Sequence, residues 1–291
     1  MEQFNKIGVV GLGNMGLGMA LSLQRAGFDV LGLDKSGATA AKASEQGIAL
    51  AADLAQLVAA CDCLVLSLPN SAIVRELLTG AAGVAALATR ALTIIDTTTA
   101  DPEVTRELAA QLKQQDIVLI DAPVSGGPGG ALRGELTLFI GGADADVQAA
   151  MPVLSGMGKN LFHIGGTGAG NITKIVNNLL TAAQLLTAAE AFRMAEAAGV
   201  KTEQLLDAVN AGSGRSGVTL FNYPNRILSG SFNSGFTMQL MRKDVALAAA
   251  LHDKLGVPVP VSKVVAELWR DSAATLADGE DFNRIVNFVR P

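Results

Sequence analysis

The sequence has few cysteines, few aromatic residues and little charge. Two cysteines and two histidines occur among 291 residues. Cys61 and Cys63 have poor spacing for a disulfide, and with so few partners they are expected to be buried strand residues, with no metal site. Disulfides therefore do not hold the fold, which fits a reducing cytoplasm. An aromatic fraction of 4% and a net charge of −5 without any basic block argue against a nucleic-acid partner.

Targeting and membrane-spanning patterns are missing as well. No positively charged segment followed by an apolar stretch opens the chain, so we expect no signal peptide. No apolar run reaches membrane-spanning length without a charge or a glycine pair, so we expect no membrane partner. We therefore expect a cytoplasmic protein. The chain is 49% hydrophobic and 17% charged, which predicts a folded protein with a large core and, at this length, two domains.

Short apolar segments alternate with helical segments along the first part of the chain. Each apolar segment contains β-branched residues and is followed by glycine, proline or aspartate. This alternation predicts an α/β fold with a parallel sheet covered by helices on both faces. The predicted strands are Lys6–Val10, Asp29–Leu33, Cys63–Leu68, Leu92–Ile95 and Ile117–Ile120.

The pattern changes after Asp121. The segment Ala122–Gly134 is rich in glycine and proline and is predicted to be a loop, and two further strands follow at about 136–140 and 161–164. A long helix is expected over Ile172–Ala198 because this stretch is rich in alanine and leucine and lacks proline. We therefore predict a Rossmann-like dinucleotide-binding domain over 1–165 and an all-helical substrate and oligomerisation domain over 166–291.

A glycine-rich motif, Gly11-Leu12-Gly13-Asn14-Met15-Gly16, lies between a predicted strand and a predicted helix. In that context Gly11 permits a tight turn, Gly13 lets a pyrophosphate approach the backbone, and Gly16 lets the helix pack on the strand. The helix N-terminus then offers free N–H groups to the phosphates. The motif predicts dinucleotide binding; a purely structural glycine turn is the alternative.

Asp34 ends the second predicted strand, where a carboxylate accepts hydrogen bonds from the adenosine ribose of a dinucleotide. It would repel a 2′-phosphate, so NAD is favoured and NADP remains possible because Lys35 follows. The alternative is a helix N-cap for the next segment.

Two polar segments follow later strands, at the sheet edge where ligands bind in open α/β folds. Leu68-Pro69-Asn70 and Asp96–Thr99 are candidates for the nicotinamide end of the cofactor, with helix capping as the alternative for the threonines. Ser125, Gly126 and Gly127 offer a hydroxyl and unobstructed N–H groups, which suit a substrate carboxylate. A flexible loop is the alternative there.

Lys174 is the strongest catalytic candidate because it lies near the start of an otherwise apolar helix. Partial burial would lower the pKa of this lysine and suit it to proton transfer. Asn178, four residues later, shares its helix face and can orient the substrate oxygen or the ammonium. A lysine that reaches solvent from a helix end is the alternative.

Lys243 can reach the cofactor or the substrate carboxylate, and on charge alone Arg242 is an equal candidate.

Together these motifs resemble the β-hydroxyacid dehydrogenase family, the group that includes 3-hydroxyisobutyrate dehydrogenase and tartronate semialdehyde reductase. The resemblance covers essentially the whole chain. It rests on Gly11–Gly16 with Met19-Ala20, on Asp121–Gly127, on Gly168–Asn178 and on Lys243-Asp244, in that order and spacing.

The resemblance implies that Lys174 is the catalytic acid/base, that the segment Ser125–Gly127 binds the substrate carboxylate and that Asn178 contacts the substrate. Thr99 and Lys243 then look like cofactor contacts, and dimers or tetramers through the helical domain are implied. The chain departs from the family where three threonines replace the frequent serines at 97–99, and the segment Gly212–Phe221 matches no single subfamily.

The resulting hypothesis is an NAD(P)-dependent oxidoreductase that moves a hydride between the cofactor and a small β-hydroxy acid or its semialdehyde or keto form. A non-catalytic dinucleotide sensor or scaffold is one alternative. An imine reductase is another, although imine reductases of this kind usually lack the lysine found here at Lys174.

Overall fold

The computed structural model describes residues 4–288 and divides into two compact units between Lys174 and Ile175. Within the described residues, the first unit holds a nine-stranded sheet with helices. The second unit is helical. This order of an α/β part followed by an all-helical part confirms the predicted fold class. The predicted boundary between 165 and 166 precedes the division of the compact units, and as a domain assignment it stays a prediction.

The sheet of the first unit is parallel over most of its width. Its spatial order is β3-β2-β1-β4-β5-β6-β8-β7, and β9 also pairs with β8. Strands β1 to β6 run parallel, and β8 is antiparallel to β6 and β7. The strands are β1 (Lys6–Val10), β2 (Asp29–Leu33), β3 (Ala49–Leu50), β4 (Cys63–Leu66), β5 (Leu92–Asp96), β6 (Ile117–Asp121), β7 (Val124–Ser125), β8 (Leu136–Gly141) and β9 (Gly158–Gly165).

Several helices of this unit begin at side chains that satisfy the free N–H groups of the first turn. Asp53, Asn70 and Asp101 each accept such a hydrogen bond, and Pro102 follows Asp101 at the first helical position. The helices are α1 (Asn14–Arg25), α2 (Gly37–Glu45), α3 (Leu54–Ala60), α4 (Ser71–Thr79), α5 (Val84–Leu87), α6 (Pro102–Lys113), α7 (Gly127–Arg133) and α8 (Asp144–Met157).

Helices cover both faces of the sheet because successive strand residues enter different apolar layers. Val9 and Val65 lie in the layer that contains side chains of α1, α7 and α8. Val10 and Leu66 lie in the layer built with α3, α4 and α6. Cys61 and Cys63 are free and buried, as expected. Cys63 begins β4, but the prediction of a strand position is wrong for Cys61, which directly follows the last residue of α3. Because β1, β2, β4, β5 and β6 run parallel, their carboxyl ends lie at one edge of the sheet.

The segment Ala122–Gly134 was predicted to be a loop, and this prediction is wrong. It contains β7 and the seven-residue helix α7. Gly126 and Gly134 bracket the helix with backbone angles φ of +130° and +69°, which glycine adopts without strain. Helix α7 packs closely on α1, since a Cβ atom at Gly18 would lie 2.9 Å from the Cβ atom of Ala131. Packing therefore stabilises a helix that glycine content alone disfavours.

The second unit is built on the long helix that the sequence predicted. Helix α9 (Ala169–Ala197) contains the division between the two units, and the core of the second unit includes the fully buried Trp269. No helix within residues 4–288 combines the length and the apolar character needed to cross a bilayer. The other helical segments are α10 (Thr202–Ala211), a π-helix (Val218–Ile227), α11 (Met238–Leu255), α12 (Pro260–Asp271) and two 3₁₀ segments (Ser272–Ala274 and Phe282–Asn287).

Candidate active site

The glycine turn joins β1 to α1 in the first unit. Gly11 has a φ angle of +87°, and a Cβ atom at Gly16 would lie 1.8 Å from the carbonyl oxygen of Gly11, so neither position accepts a side chain. Gly13 differs, because a Cβ atom there would meet nothing within 4 Å. The space beside Gly13 therefore stays open to a ligand, in front of a helix whose first N–H groups have no side-chain cap.

The remaining residues of the turn have different surroundings. Leu12 is 1% exposed and its side chain belongs to the core, so only its backbone can face a ligand. Asn14 is exposed and Met15 is half-buried at the start of α1. The turn thus offers backbone and one polar side chain, an arrangement that fits a pyrophosphate.

Asp34 follows β2 and contacts the glycine turn directly. Its Oδ2 accepts a hydrogen bond from the backbone N–H of Leu12 at 2.7 Å, and its Oδ1 accepts one from the N–H of Ser36 at 2.8 Å. The alternative interpretation, a cap for α2, is wrong, since the Ser36 hydroxyl accepts the N–H of Thr39 and caps that helix. Asp34 instead presents a partly buried carboxylate next to the turn.

The loops after β4 and β5 are joined by threonine hydroxyls. The Thr97 hydroxyl donates to the carbonyl of Leu66 at 2.6 Å, and the Thr98 hydroxyl accepts the N–H of Leu68 at 3.1 Å. Both threonines are buried, so their hydroxyls stabilise the loops. Thr99 is the half-buried member of the three, and Pro69 is exposed.

The segment Ser125–Gly127 connects β7 to α7. Ser125 pairs with Thr137 of β8 and is half-buried. Gly126 and Gly127 have φ angles of +130° and +65°, so both favour glycine. Their N–H groups lie at the start of α7, where they carry no side chain that would obstruct an anion.

Asp121 and Asn171 form a buried polar contact that sequence reasoning missed. Asp121 ends β6, is fully buried, and accepts hydrogen bonds from the N–H groups of Gly168 at 2.7 Å and Asn171 at 2.9 Å. Burial raises the pKa of the Asp121 carboxyl, and these N–H donors oppose that rise. The sequence placed both residues inside recognised motifs, but no local pattern showed that they meet.

Lys174 lies in the second turn of α9 and is only 8% exposed. The helix start that carries it is bonded through Asn171 to the end of β6, at the same sheet edge as the glycine turn. Among residues 4–288, no group of three or more metal-ligating side chains was found. The first unit therefore combines a dinucleotide-type turn with a buried lysine near one edge of its sheet.

The second unit holds a polar group around Asp244, which is 1% exposed. The Asn178 amide donates to Asp244 at 2.5 Å, and the Lys243 ammonium lies 2.8 Å from the other carboxylate oxygen. The side-chain amide of Asn177 donates to the side-chain oxygen Oδ1 of Asn178 at 3.0 Å. The orientation of the Asn178 amide is therefore determined by its two neighbours.

Arg242 and Lys243 were equal candidates for a cofactor or substrate contact, and their surroundings separate them. The Arg242 guanidinium donates to the carbonyl groups of Trp269 and Leu276 and to the Ser272 hydroxyl, and it pairs with Asp278 at 2.7 Å. These hydrogen bonds occupy its donors and stabilise the C-terminal end of α12. Arg242 is thus a structural residue, and Lys243 remains the candidate.

Comparison with known proteins identifies the relationship. Residues 6–165 match the NAD-binding domain of 6-phosphogluconate dehydrogenase, and residues 168–289 match the domain described as the NAD-binding part of NADP-dependent 3-hydroxyisobutyrate dehydrogenase. The chain belongs to the β-hydroxyacid dehydrogenase family. It is an NAD(P)-dependent dehydrogenase, which confirms the enzyme class and the cofactor class expected from the sequence.

Individual relatives support the same assignment. The chain is 35% identical over 286 residues to 2-(hydroxymethyl)glutarate dehydrogenase from Eubacterium barkeri, covering 98% of this chain and 95% of the relative. It is 31% identical to mitochondrial 3-hydroxyisobutyrate dehydrogenase from Mus musculus, covering 100% of this chain and 88% of the relative. The structure of Mycobacterium tuberculosis 3-hydroxyisobutyrate dehydrogenase with L-serine superposes with a TM-score of 0.90 at 31% identity, covering 99% of this chain and 100% of that one.

Proposed function

We propose that this dehydrogenase acts on a small β-hydroxy acid, favours NAD over NADP and uses Lys174 as its catalytic acid/base. The observation that carries the proposal is a lysine with 8% exposure on a helix whose first turn is bonded to the sheet edge of a dinucleotide-type turn. The open space at Gly13 fits a pyrophosphate, and the Asp34 carboxylate suits the ribose of NAD.

The substrate class follows from chemistry shared by the relatives. The names 3-hydroxyisobutyrate and 2-(hydroxymethyl)glutarate both describe an acid with a hydroxymethyl group on the carbon next to a carboxylate. We therefore propose a substrate with this HOCH₂–CH–COO⁻ unit. Ser125 and the N–H groups of Gly126 and Gly127 would bind the carboxylate, and Asn178 would orient the reacting oxygen.

The proton transfer assigned to Lys174 follows the direction of the reaction. When bound, the nicotinamide exchanges a hydride with the substrate carbon. In oxidation, the neutral Lys174 amine takes the hydroxyl proton, and in reduction its ammonium returns a proton to the forming alkoxide. Lys243 would contact the cofactor, and its ion pair with the buried Asp244 would hold the ammonium in position for that contact. Thr99, Leu68 and Pro69 are proposed to lie at the nicotinamide end.

The test combines a variant with a substrate panel. Lys174→Ala should lower kcat by about 10²- to 10⁴-fold, the usual contribution of a general acid/base, while the Kd of NADH stays near that of the parent. Lys113→Ala, an exposed lysine in the last turn of α6, is the matched control and should leave kcat unchanged.

The panel comprises 3-hydroxyisobutyrate, glycerate, threonate, 3-hydroxybutyrate and serine, each with NAD and NADP, and a cyclic imine with the reduced cofactors. Oxidation of at least one acid carrying the HOCH₂–CH–COO⁻ unit supports the proposal. Turnover of the imine alone, or NADH binding without turnover of any compound, would contradict it.

We also propose a homodimer or homotetramer formed through the helical unit, in the cytoplasm. Val176, Leu180 and Met194 on α9 are apolar and 47%, 55% and 72% exposed, and such exposed apolar side chains on one helix favour a second subunit. The two free, buried thiols are compatible with a reducing compartment. Sedimentation equilibrium tests the assembly, and a mass equal to one chain would exclude it.

A further inference from the structure

A buried polar junction, made of Asp121, Asn171 and Thr105, joins the start of α9 to the rest of the first unit. The Asp121 carboxylate accepts the N–H groups of Gly168 at 2.7 Å and Asn171 at 2.9 Å. All three junction side chains are at most 2% exposed. Buried polar groups of this kind cost free energy unless they are hydrogen-bonded, so the contacts strongly favour one arrangement of the backbone.

The Asn171 side chain connects two further segments. Its Oδ1 accepts the backbone N–H of Ala100 at 2.9 Å, and its Nδ2 donates to the Thr105 hydroxyl at 3.1 Å. Ala100 directly follows Thr99, which is proposed to contact the cofactor. One amide therefore ties the helix that carries Lys174 to the loop after β5 and to α6.

The first turn of α9 also has no room to shift toward the sheet. A Cβ atom at Gly170 would lie 2.2 Å from the carbonyl oxygen of Phe139 and 2.8 Å from that of Asp121. Just before the helix, the Arg106 guanidinium donates to the carbonyl of Thr167 at 3.2 Å. Close backbone packing and directed hydrogen bonds together hold this turn in place.

We infer that Asn171 is a positioning residue that sets where the Lys174 amine stands relative to the Thr99 loop. Asn171 and Lys174 are three residues apart and share a side of α9, so a shift of one moves the other. This inference rests on the proposed function, because it assumes that Lys174 is the catalytic acid/base. A purely structural role would predict a loss of stability without a specific loss of proton transfer.

A double-mutant cycle between positions 171 and 174 separates these roles. Asn171→Ala should lower kcat by about 10- to 100-fold, the cost of a misplacement near 1 Å, with less than about threefold change in the Kd of NADH. In a Lys174→Ala background, Asn171→Ala should have no further effect on kcat, since the amine that it positions is gone. The isosteric Asn171→Asp keeps an acceptor for the N–H of Ala100 and should recover part of the lost kcat.

The matched control is Ser22→Ala, which removes a hydrogen bond of another buried side chain in the same unit, from the Ser22 hydroxyl to the carbonyl of Gly156 at 2.7 Å. It should lower stability and leave kcat within about twofold of the parent. If Asn171→Ala does not fold, Asn171→Asp carries the same cycle.

The outcomes separate the two proposals. An equal loss of kcat from the Asn171 variant in both backgrounds would overturn the positioning role and leave the proposed function intact. If Lys174→Ala kept the parental kcat, the proposed function would fail first, and the positioning role would fail with it.

Discussion

The carboxylate of Asp34 should decide which cofactor this enzyme uses, because its contacts and its charge together set the preference for NAD over NADP. Asp34 is partly buried and holds two backbone N–H groups at 2.7 and 2.8 Å, so its position is well determined. A 2′-phosphate placed beside it would face one negative charge. At about 4 Å, two unit charges interact by about 1 kcal/mol in bulk water and about 4 kcal/mol near a protein surface.

The second contribution comes from the ribose of NAD. A hydrogen bond to a charged acceptor is worth about 1.5 to 3 kcal/mol, and this bond is lost when a 2′-phosphate replaces the hydroxyl. Taking about 2 kcal/mol for repulsion and about 1.5 kcal/mol for the hydrogen bond, we expect kcat/KM to favour NAD over NADP by roughly 10²- to 10³-fold. Added salt should reduce the repulsive part, since the Debye length is about 10 Å at 0.1 M.

The variant that isolates the charge is Asp34→Asn, which keeps an acceptor for the N–H of Leu12. Its ratio of kcat/KM for NAD to kcat/KM for NADP should fall to within about tenfold of one, as measured from the absorbance of the reduced nicotinamide. Asp53→Asn is the control, because Asp53 also caps a backbone N–H, that of Gln56, but at the start of α3. A parental preference for NADP, or an unchanged ratio in Asp34→Asn, would refute the reasoning.

Two further predictions concern the glycine turn and the single tyrosine. Gly13→Ala should change the free energy of unfolding by less than about 1 kcal/mol, because its Cβ atom meets nothing within 4 Å, yet raise the Kd of NADH at least about tenfold by occupying the pyrophosphate space. Gly279→Ala, equally open, is its control, and unchanged NADH affinity in Gly13→Ala would exclude a pyrophosphate at this turn. Burial raises the pKa of Tyr223 from its ordinary value of about 10 to about 12, so the stabilising contribution of the neutral phenol is complete below pH 10 and is lost as pH rises toward 12. The loss in the free energy of unfolding between pH 10 and 12 is at most about 3 kcal/mol. An absorbance titration should show tyrosinate near pH 10 only in the unfolded chain. Ionisation of Tyr223 near pH 10 in the native protein would disprove the raised pKa.

Much of the fold was predictable because its signals are local. The strands β1, β2 and β6 and the helices between them follow from runs of apolar residues interrupted by glycine, proline and aspartate. The long helix α9 follows from a stretch without proline or any strand signal. These patterns repeat over a few residues, so neighbours along the chain suffice to recognise them.

The candidate site was predictable only where a residue acts through its own motif. Gly11, Gly13 and Gly16 are recognisable because a tight turn and a close approach require glycine at those spacings. Lys174 stood out as a charge in an apolar helix. By contrast, no spacing showed that the Thr97 and Thr98 hydroxyls would form hydrogen bonds between the loops after β4 and β5. Nor did any spacing show that Arg242, and not Lys243, would bond to a carbonyl group that follows α12.

The sequence by itself therefore determined the main strands of the parallel sheet, the long helix α9, the glycine turn, the family and the identity of the candidate lysine. The tertiary structure alone decided that residues 127–133 form a helix, that Asp34 contacts the N–H of Leu12, and that Asp121 and Asn171 secure the start of α9. The physical reason is distance along the chain: Asp121 and Asn171 are in contact although they are 50 positions apart in the sequence. Such a contact depends on how the sheet and helices pack, and no local pattern of residues encodes it.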